Sequence, residues 1–291
     1  MSTRQHVVEF SKYEAAGNDF IAINRLATVG PPLTPAQLLR MCNRKTGIGA
    51  DGVIELHGSP APGCLYSLNY YNSDGNEGSL CGNGSRCSLA FAERSGLVAL
   101  TSPEQEVTFE ACDGVHLGGM LAPGSYYVTI RDVEESGVRV LGGDGDNFFV
   151  HNGSPHHVRF VDDVNDVDVV SVGRRLRWEL YGQEGANIDF VTCQTSDPCD
   201  LDLRTYERGV EDETLACGTG ATASSMAAYL RHRSQHDTQE RAHENSTVTT
   251  CTRVHARGGD LIVSFIYDDG VFRDIRLCGP VNHVFDGRIV V

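Results

Sequence analysis

The chain has 291 residues, enough for one large domain or two of ordinary size, and 40% of them are hydrophobic, enough for a packed core. A formal net charge of −15 repels phosphate backbones and argues against nucleic-acid binding, and ten cysteines without one CxxC pair exclude the zinc-ribbon and thioredoxin spacings. Mean hydropathy is −0.24, no apolar run approaches the roughly 20 residues a membrane helix needs, and MSTRQHVVEF has no apolar signal-peptide core, so the expected location is the cytoplasm.

In chain order, EFSKYEAAGNDFIAIN (9–24) reads as strand, turn, strand, with Gly17-Asn18 in the turn. TPAQLLRMCNRK (34–45) reads as a helix with Thr34 at the N-cap and Pro35 at the first helical position. VIEL (53–56) and SLNYYN (67–72) read as strands, SRCSLAFAERSG (85–96) as a helix, VTFEA (107–111) and YYVTIRDV (126–133) as strands. Beyond them NFFVHNG, HHVRFVD, NIDFVTCQT and LDLRTYERG are strands, and GATASSMAAYLRHRSQ (220–235) is a helix. STVTTCTRVHARGGDLIVSFIYD (246–268), FRDIRLCG and the closing GPVNHVFDGRIVV (279–291) are again strand-like.

The chain repeats itself at one spacing. NSDGNEGSLCGNGSRC around Cys81 and ERGVEDETLACGTGAT around Cys217 share a polar, acidic approach and then Cys-Gly-x-Gly; the cysteines stand 136 residues apart (217 − 81). Gly17-Asn18 and Gly153-Ser154 share that offset, and so do Ala50-Asp51 and Ala186-Asn187. Three motifs at one spacing indicate a duplicated domain. The expected architecture is α+β: two pseudo-symmetric halves, each a barrel-like strand layer around a central helix, with each cysteine near the same cleft. The expected boundaries are 1–126 for the first half, with 278–291 returning to it, and 127–277 for the second.

Each Cys-Gly-x-Gly opens a helix. A thiol there sits at the positive end of the helix dipole, which lowers its pKa and makes a thiolate accessible near neutral pH. The Gly-x-Gly backbone N–H groups form a nest for a carboxylate. Two such units suit α-proton exchange on an amino acid. One thiolate removes the α-proton from one face, the opposing thiol delivers a proton to the other, and the N–H groups stabilise the developing enolate. The other eight cysteines read as small buried hydrophobes. GIGADG (47–52) matches a dinucleotide glycine pattern, but a helix precedes it and a strand follows, the reverse of what that site requires. His232 and His236 have metal-ligand spacing but lie in the charged stretch RHRSQHDTQERAHEN, which reads as a solvated helix end and loop.

These motifs resemble the diaminopimelate epimerase family, whose members work without pyridoxal phosphate. GNDF (17–20), YNSDG with LCGNGSRC (71–87), GSPHHV (153–158), GANIDFV (185–191), YERGVEDETLACGTGA (206–221) and GPVNHVFDG (279–287) occur in the family's order. The resemblance implies that Cys81 and Cys217 are the two catalytic bases. It implies that Gly82-Asn83 and Gly218-Thr219 hold the reacting carboxylate, with Asn18, Asn72, Asn187, Glu207 and Arg208 around the substrate. Asn72, Asn187 and Arg208 would recognise its distal amino-acid end. Ser154 and His156 are carried over as substrate-side groups or supports for the cysteines. It further implies interconversion of LL- and meso-diaminopimelate in lysine and cell-wall synthesis, no cofactor, no metal, no nucleic-acid or membrane partner, and a homodimer.

Four positions depart from the family pattern. Ser154 stands where many members have Asn, Gly52 where some have Gln, and Phe285 where some have Tyr at the dimer contact. GVEDET (209–214) is one residue longer than the commoner loop before the second cysteine. The competing readings are a racemase of another amino acid, such as histidine or proline, on the same scaffold, a thiol redox sensor joining Cys81 to Cys217, and a non-catalytic amino-acid binding module.

Overall fold

The computed structural model describes residues 7–27, 30–143, 145–194, 198–236 and 247–291. The chain forms two compact units, residues 1–128 with 279–291, and residues 129–278.

In the first unit β1 (Val7–Ala15) and β2 (Asn18–Asn24) form an antiparallel hairpin joined by Ala16 and Gly17, with φ of 52° and 80°. A two-residue turn with both φ values positive matches the right-handed twist of its strands. The turn is thus Ala16-Gly17 rather than Gly17-Asn18, and Asn18 is the first residue of β2. Helix α1 (Pro35–Cys42) begins as its sequence dictates: the Thr34 hydroxyl accepts from Gln37 N–H, and the Gln37 side chain accepts from Thr34 N–H. It buries Leu38, Met41 and Cys42 against Phe10, Ile21 and Val53. The GIGADG segment closes this helix: Ile48 and Gly49 donate N–H groups to the Met41 carbonyl, and Ala50 donates to that of Cys42. A Cβ on Gly47 would stand 2.0 Å from the Arg40 carbonyl oxygen, so that glycine serves a tight chain reversal.

Next come β3 (Gly52–His57), parallel to β2, and β4 (Ser67–Asn72), antiparallel to β3. Helix α2 (Gly82–Arg94) leads to β5 (Glu106–Ala111), parallel to β4, and β6 (Gly114–Ala122) and β7 (Ser125–Ile130) continue as an antiparallel meander.

In the second unit β8 (Val133–Glu134) and β9 (Val138–Leu141) precede β10 (Asn147–His151) and β11 (Pro155–Phe160). Then follow α3 (Val169–Tyr181), β12 (Asn187–Cys193), β13 (Asp200–Glu207), the short β14 (Asp212–Thr214) and α4 (Gly218–His236). β15 (Val248–Ala256), β16 (Gly259–Asp268) and β17 (Val271–Pro280) close it, before β18 (Asn282–Val290) pairs with β1 in the first unit.

The pairings repeat. β10–β11 is a hairpin like β1–β2, and β11–β12 is parallel across α3 as β2–β3 is parallel across α1. β13–β15 is parallel across α4 as β4–β5 is across α2. β9 flanks β10 as β18 flanks β1. The same β-β-α-β-β-α order thus occurs twice, and α2 and α4 begin 136 residues apart (218 − 82). The sequence does not predict α3, although it stands at the offset from α1.

Composition explains the central helices. Every residue of α2 from Gly82 to Ala92 is buried, as is every residue of α4 from Ala221 to Ala228. A helix buried all round carries no polar stripe, and small residues let strands approach it closely. α2 packs on β1, β2, β3, β4 and β6, and α4 on β10, β11, β12, β13, β15 and β16. Their buried hydroxyls bond back into the helix: Thr222 to Gly218 O at 3.0 Å, Ser225 to Ala221 O and Ser88 to Ser85 O, both at 2.8 Å.

One ionic cluster is built into the first unit. Asp19 pairs with Lys12 at 2.7 Å and with Arg44 at 2.7 Å. Burial pushes the Asp19 carboxyl up, but bonds from Arg44 and Lys12 outweigh it and hold the group well below the usual carboxylate range. Among the described residues no helix is long and apolar enough to cross a membrane, and none of the ten cysteines is in a disulfide. The expectation for His232 and His236 reaches the edge of the described structure: the His236 side chain and residues 237–246 lie outside the described residues. Among the described residues no group of three His, Cys, Asp or Glu could hold a metal ion.

Candidate functional site

In the first unit Cys81 is the N-cap of α2, half-buried, and its Sγ accepts from Gly84 N–H at 3.5 Å. Asn18, at the start of β2, faces it. The Asn18 Oδ1 lies 3.8 Å from Cys81 Sγ and accepts from Asn83 Nδ2 at 3.3 Å. The other end of the amide donates to Asp51 Oδ2 at 2.7 Å. Asn83 is fixed by Arg86, which donates to its Oδ1 at 2.9 Å. Asn72 closes β4, where its carbonyl accepts from Gly75 N–H. The structure thus brings Asn18, Cys81 and Asn83 into direct contact within the unit.

Gly52 has a steric reason. A Cβ there would stand 2.5 Å from the Tyr70 ring and 2.6 Å from the Tyr71 carbonyl oxygen. Tyr70 fills the space into which a side chain at 52 would point, with its ring edge-on to Phe20 at 6.1 Å.

In the second unit Cys217 precedes α4, and its Sγ accepts from Gly220 N–H. The surroundings differ from those of Cys81. Cys217 is buried, its Sγ 3.6 Å from the Thr219 hydroxyl. Thr219 Oγ1 is 2.9 Å from His156 Nε2, and His156 Nδ1 is 2.7 Å from Asp189 Oδ2. His156 and Asp189 side chains are fully buried. Asn187 donates from Nδ2 to the Ser154 hydroxyl at 3.0 Å, and its Oδ1 accepts from Arg208 N–H at 2.9 Å. The Arg208 guanidinium donates to the Glu184 carbonyl at 3.0 Å. Ser154, His156, Asn187, Arg208, Cys217 and Thr219 therefore form one bonded group, and Glu207 acts on the Cys217 thiol by its charge.

The two units place equivalent pairs alike. Asn18 with Asp51 and Ser154 with Asn187 occupy matching positions, but Asn18 donates in the first pair and Asn187 in the second. Ser154 thus keeps the pairing that the shorter side chain can still reach.

The electrostatics overturn one expectation. Burial pushes the Cys217 thiol well above its ordinary range, and the charges of Glu207 and Asp189 push the same way. Bonds from Thr219 and Gly220 lower it but do not compensate. The helix start therefore gives no resting thiolate at Cys217; the desolvation of a buried sulfur beside two carboxylates is the larger effect.

The longer loop before Cys217 is a hairpin turn. Glu207 pairs with Asp212, and Glu211 N–H donates to Glu207 O at 2.8 Å. Glu211 takes a left-handed φ of 59°. Its carboxylate accepts from Arg177 at 2.9 Å, Tyr206 at 3.1 Å and Gly209 N–H at 3.2 Å, three bonds that offset the roughly 1 kcal/mol of backbone strain.

Sequence reasoning missed Asp189, Asp51 and Asn152. Asp189 lies two residues beyond Asn187 on one strand, hence on the same face, so strand periodicity could have found it. Asp51 is the offset partner of Asn187. Asn152, which donates to the Thr219 carbonyl at 2.8 Å, carries no signal in the sequence.

A sequence model of the family described as diaminopimelate epimerase matches residues 10–116 and 148–274. The chain belongs to the diaminopimelate epimerase family. It is 39% identical over 280 residues to the diaminopimelate epimerase of Flavobacterium psychrophilum, covering 96% of this chain and 98% of that one. It is 32% identical to that of Aquifex aeolicus, covering 97% of this chain and 98% of its relative. Among solved structures, a probable proline racemase from Agrobacterium radiobacter K84 superposes with a TM-score of 0.67 at 13% identity, covering 97% and 92% of the two chains. A methylitaconate-delta-isomerase gives 0.67 at 15% identity, covering 99% and 96%. Family membership makes the protein an isomerase, an epimerase by class, and the structural neighbours share its duplicated α+β fold.

Proposed function

We propose that this protein interconverts LL- and meso-diaminopimelate by α-proton exchange between Cys81 and Cys217, as a step in lysine and cell-wall synthesis, in the cytoplasm. The observation that carries this reading is the repeated arrangement of a cysteine whose sulfur accepts a helix N-terminal N–H, Gly84 in one unit and Gly220 in the other. Each cysteine serves one face of the same α-carbon. The first-turn N–H groups at Gly82-Asn83 and Gly218-Thr219 hold the reacting carboxylate and stabilise charge developing on it. The α-proton is weakly acidic, so this stabilisation is the principal demand on the site.

Because Cys217 rests as a thiol, it is the natural donor in one direction of the reaction. In the other direction it becomes the base only once its proton has somewhere to go. No cofactor is needed, since thiols and backbone N–H groups supply every proton and charge the exchange requires. The homodimer is part of this reading, with Phe285, 44% exposed on β18 and edge-on to Phe10, as its contact.

Substrate choice rests on Asn72, Asn187 and Arg208, which suit a second zwitterionic end. The Arg208 main chain is fixed by Asn187, while among the described residues its guanidinium donates to one carbonyl, that of Glu184, which leaves it donors for a carboxylate. Arg208→Ala should lower kcat/KM for diaminopimelate about 10- to 100-fold, the range set by one charge-assisted bond. Steady-state assays with diaminopimelate, proline and histidine check it. An unchanged rate with diaminopimelate, or faster turnover of proline or histidine by the unsubstituted protein, contradicts the assigned substrate.

A further inference from the structure

The Cys217 side chain ends a buried chain of polar groups, and valence fixes the direction of each bond in it. Asp189 as a carboxylate can only accept, so the 2.7 Å contact places a proton on His156 Nδ1. A neutral imidazole has one N–H, so Nε2 must accept. The Thr219 hydroxyl donates to it at 2.9 Å, while the Asn187 amide nitrogen, 3.4 Å away, spends its two hydrogens on the Ser154 hydroxyl and the Pro155 carbonyl. The amide is oriented by its own oxygen, which accepts from Arg208 N–H. With its hydrogen turned toward His156, Thr219 Oγ1 offers a lone pair to the Cys217 S–H, 3.6 Å away. Asp189 is fixed on its other oxygen by the Thr205 hydroxyl at 2.7 Å. It is seated against the start of α4: a Cβ on Gly220 would stand 2.6 Å from Asp189 Oδ1.

We propose that Asp189 fixes the tautomer of His156 so that His156 Nε2 takes up, through the Thr219 hydroxyl, the proton that Cys217 gives up when it becomes the base. The step balances. The S–H bond breaks as an O–H bond forms on Thr219, while the original Thr219 O–H breaks and an N–H bond forms on His156 Nε2. The products are a thiolate and an imidazolium whose Nδ1–H stays on the Asp189 carboxylate, and no electrons are transferred. The return of the proton follows the same bonds in reverse. Asp189 and Glu207 are the carboxylates that act on the thiol, and both oppose a thiolate there, so the imidazolium is the group that offsets them. The matching positions around Cys81 are Phe20 and Val53, which hold no proton, so the relay serves one cysteine only. Asp189 is a positioning residue: it touches neither substrate nor sulfur, and it sets which nitrogen of His156 faces Thr219.

This inference rests on the epimerase reading for its rate consequences, and the test separates the two. α-Proton exchange and iodoacetamide alkylation of the Cys217 and Cys81 peptides, followed by mass spectrometry, are measured from pH 6 to 9 for the full-length protein and its Asp189→Asn, Thr219→Val and Thr219→Ser variants. Asp189→Asn and Thr219→Val should each lower kcat roughly 100-fold, the size of an acid–base contribution, and shift the alkaline limb of the rate profile. They should slow alkylation of Cys217 while leaving that of Cys81 at its original rate, and Thr219→Ser should recover most of both. Unchanged rates and alkylation in Thr219→Val, or a Thr219→Ser variant no better than Thr219→Val, overturn the relay. If Asp189→Asn does not fold, the two Thr219 variants decide. If the unsubstituted protein exchanges no α-proton, the functional reading fails, while the alkylation arm still reports on the relay.

Discussion

Cys81→Ala and Cys217→Ala should each lose epimerisation in both directions, by at least about 10³-fold, because each thiol is the base in one direction and the acid in the other. The losses should not add: once one face has no proton carrier, removing the second changes little. Neither loss should come from unfolding. Cys81 contributes one cap bond to α2, worth about 1 kcal/mol, and Cys217 is small enough that its removal leaves a void costing about the same. Far-ultraviolet circular dichroism of each variant, beside its progress curve with LL-diaminopimelate, checks this. More than a few per cent of the original rate in either folded variant contradicts the two-base account.

The second large effect is on stability. Gly52→Gln restores the residue of some family members, and it should nevertheless destabilise this protein by about 3 kcal/mol or more. The new Cβ alone meets the Tyr70 ring at 2.5 Å and the Tyr71 carbonyl at 2.6 Å, and the carbonyl belongs to the backbone of the β3–β4 ladder. Overpacking that a side chain can relieve costs about 1–3 kcal/mol; here the strand must also move. Removing the ring in a Gly52→Gln/Tyr70→Ala variant should recover part of the loss and leave the backbone share. Thermal denaturation of the three proteins reads this directly, and a Gly52→Gln melting temperature equal to that of the parent would contradict it.

These two cases show what was legible in the sequence. The position of the two cysteines at helix starts was legible because the duplication marks the Cys-Gly-x-Gly motif twice. The first helix was legible from Thr34, Pro35 and Gln37, which act locally on their own turn. The helices that open at Cys-Gly-x-Gly were legible for the same reason. Helix α3 was not: VVSVGRRLRWELY is rich in β-branched residues and arginine, and it buries Val169, Gly173 and Arg177 rather than a clean apolar stripe. Gly173 makes sense only in three dimensions, where a Cβ would stand 2.4 Å from that of Tyr206. The β6 strand, GVHLGGMLA, was hidden by its glycines; one of them, Gly118, faces Leu89 of α2, where a Cβ would meet the side chain at 2.5 Å.

The site divides in the same way. Asn83 and Thr219, two residues beyond each cysteine on its own helix, lie inside the motif and could be read from it. Asp189 and Asp51 carry a signal of position, strand periodicity for one and the repeat offset for the other, but their partners lie 33 residues away in sequence and only the fold shows them. The sign of the Cys217 perturbation was likewise out of reach. A helix start lowers a thiol pKa, and burial beside carboxylates raises it, and only the burial decides which is larger. The outcome is an unequal pair. Cys81 meets the amide of Asn18, to which Asn83 donates, and Cys217 meets a hydroxyl backed by an imidazole and a carboxylate. The proposed reaction, in which a pair of bases acts on one of two stereocentres, needs such inequality around the pair.

The central claim is that two thiols exchange the α-proton with no added cofactor, and incubation with LL-diaminopimelate in D2O tests it most directly. The account predicts one deuterium, at the inverted α-carbon of the meso product, by mass spectrometry and proton NMR, in protein supplied with no cofactor. Meso product formed without deuterium, or deuterium entering only when a cofactor is added, would contradict it.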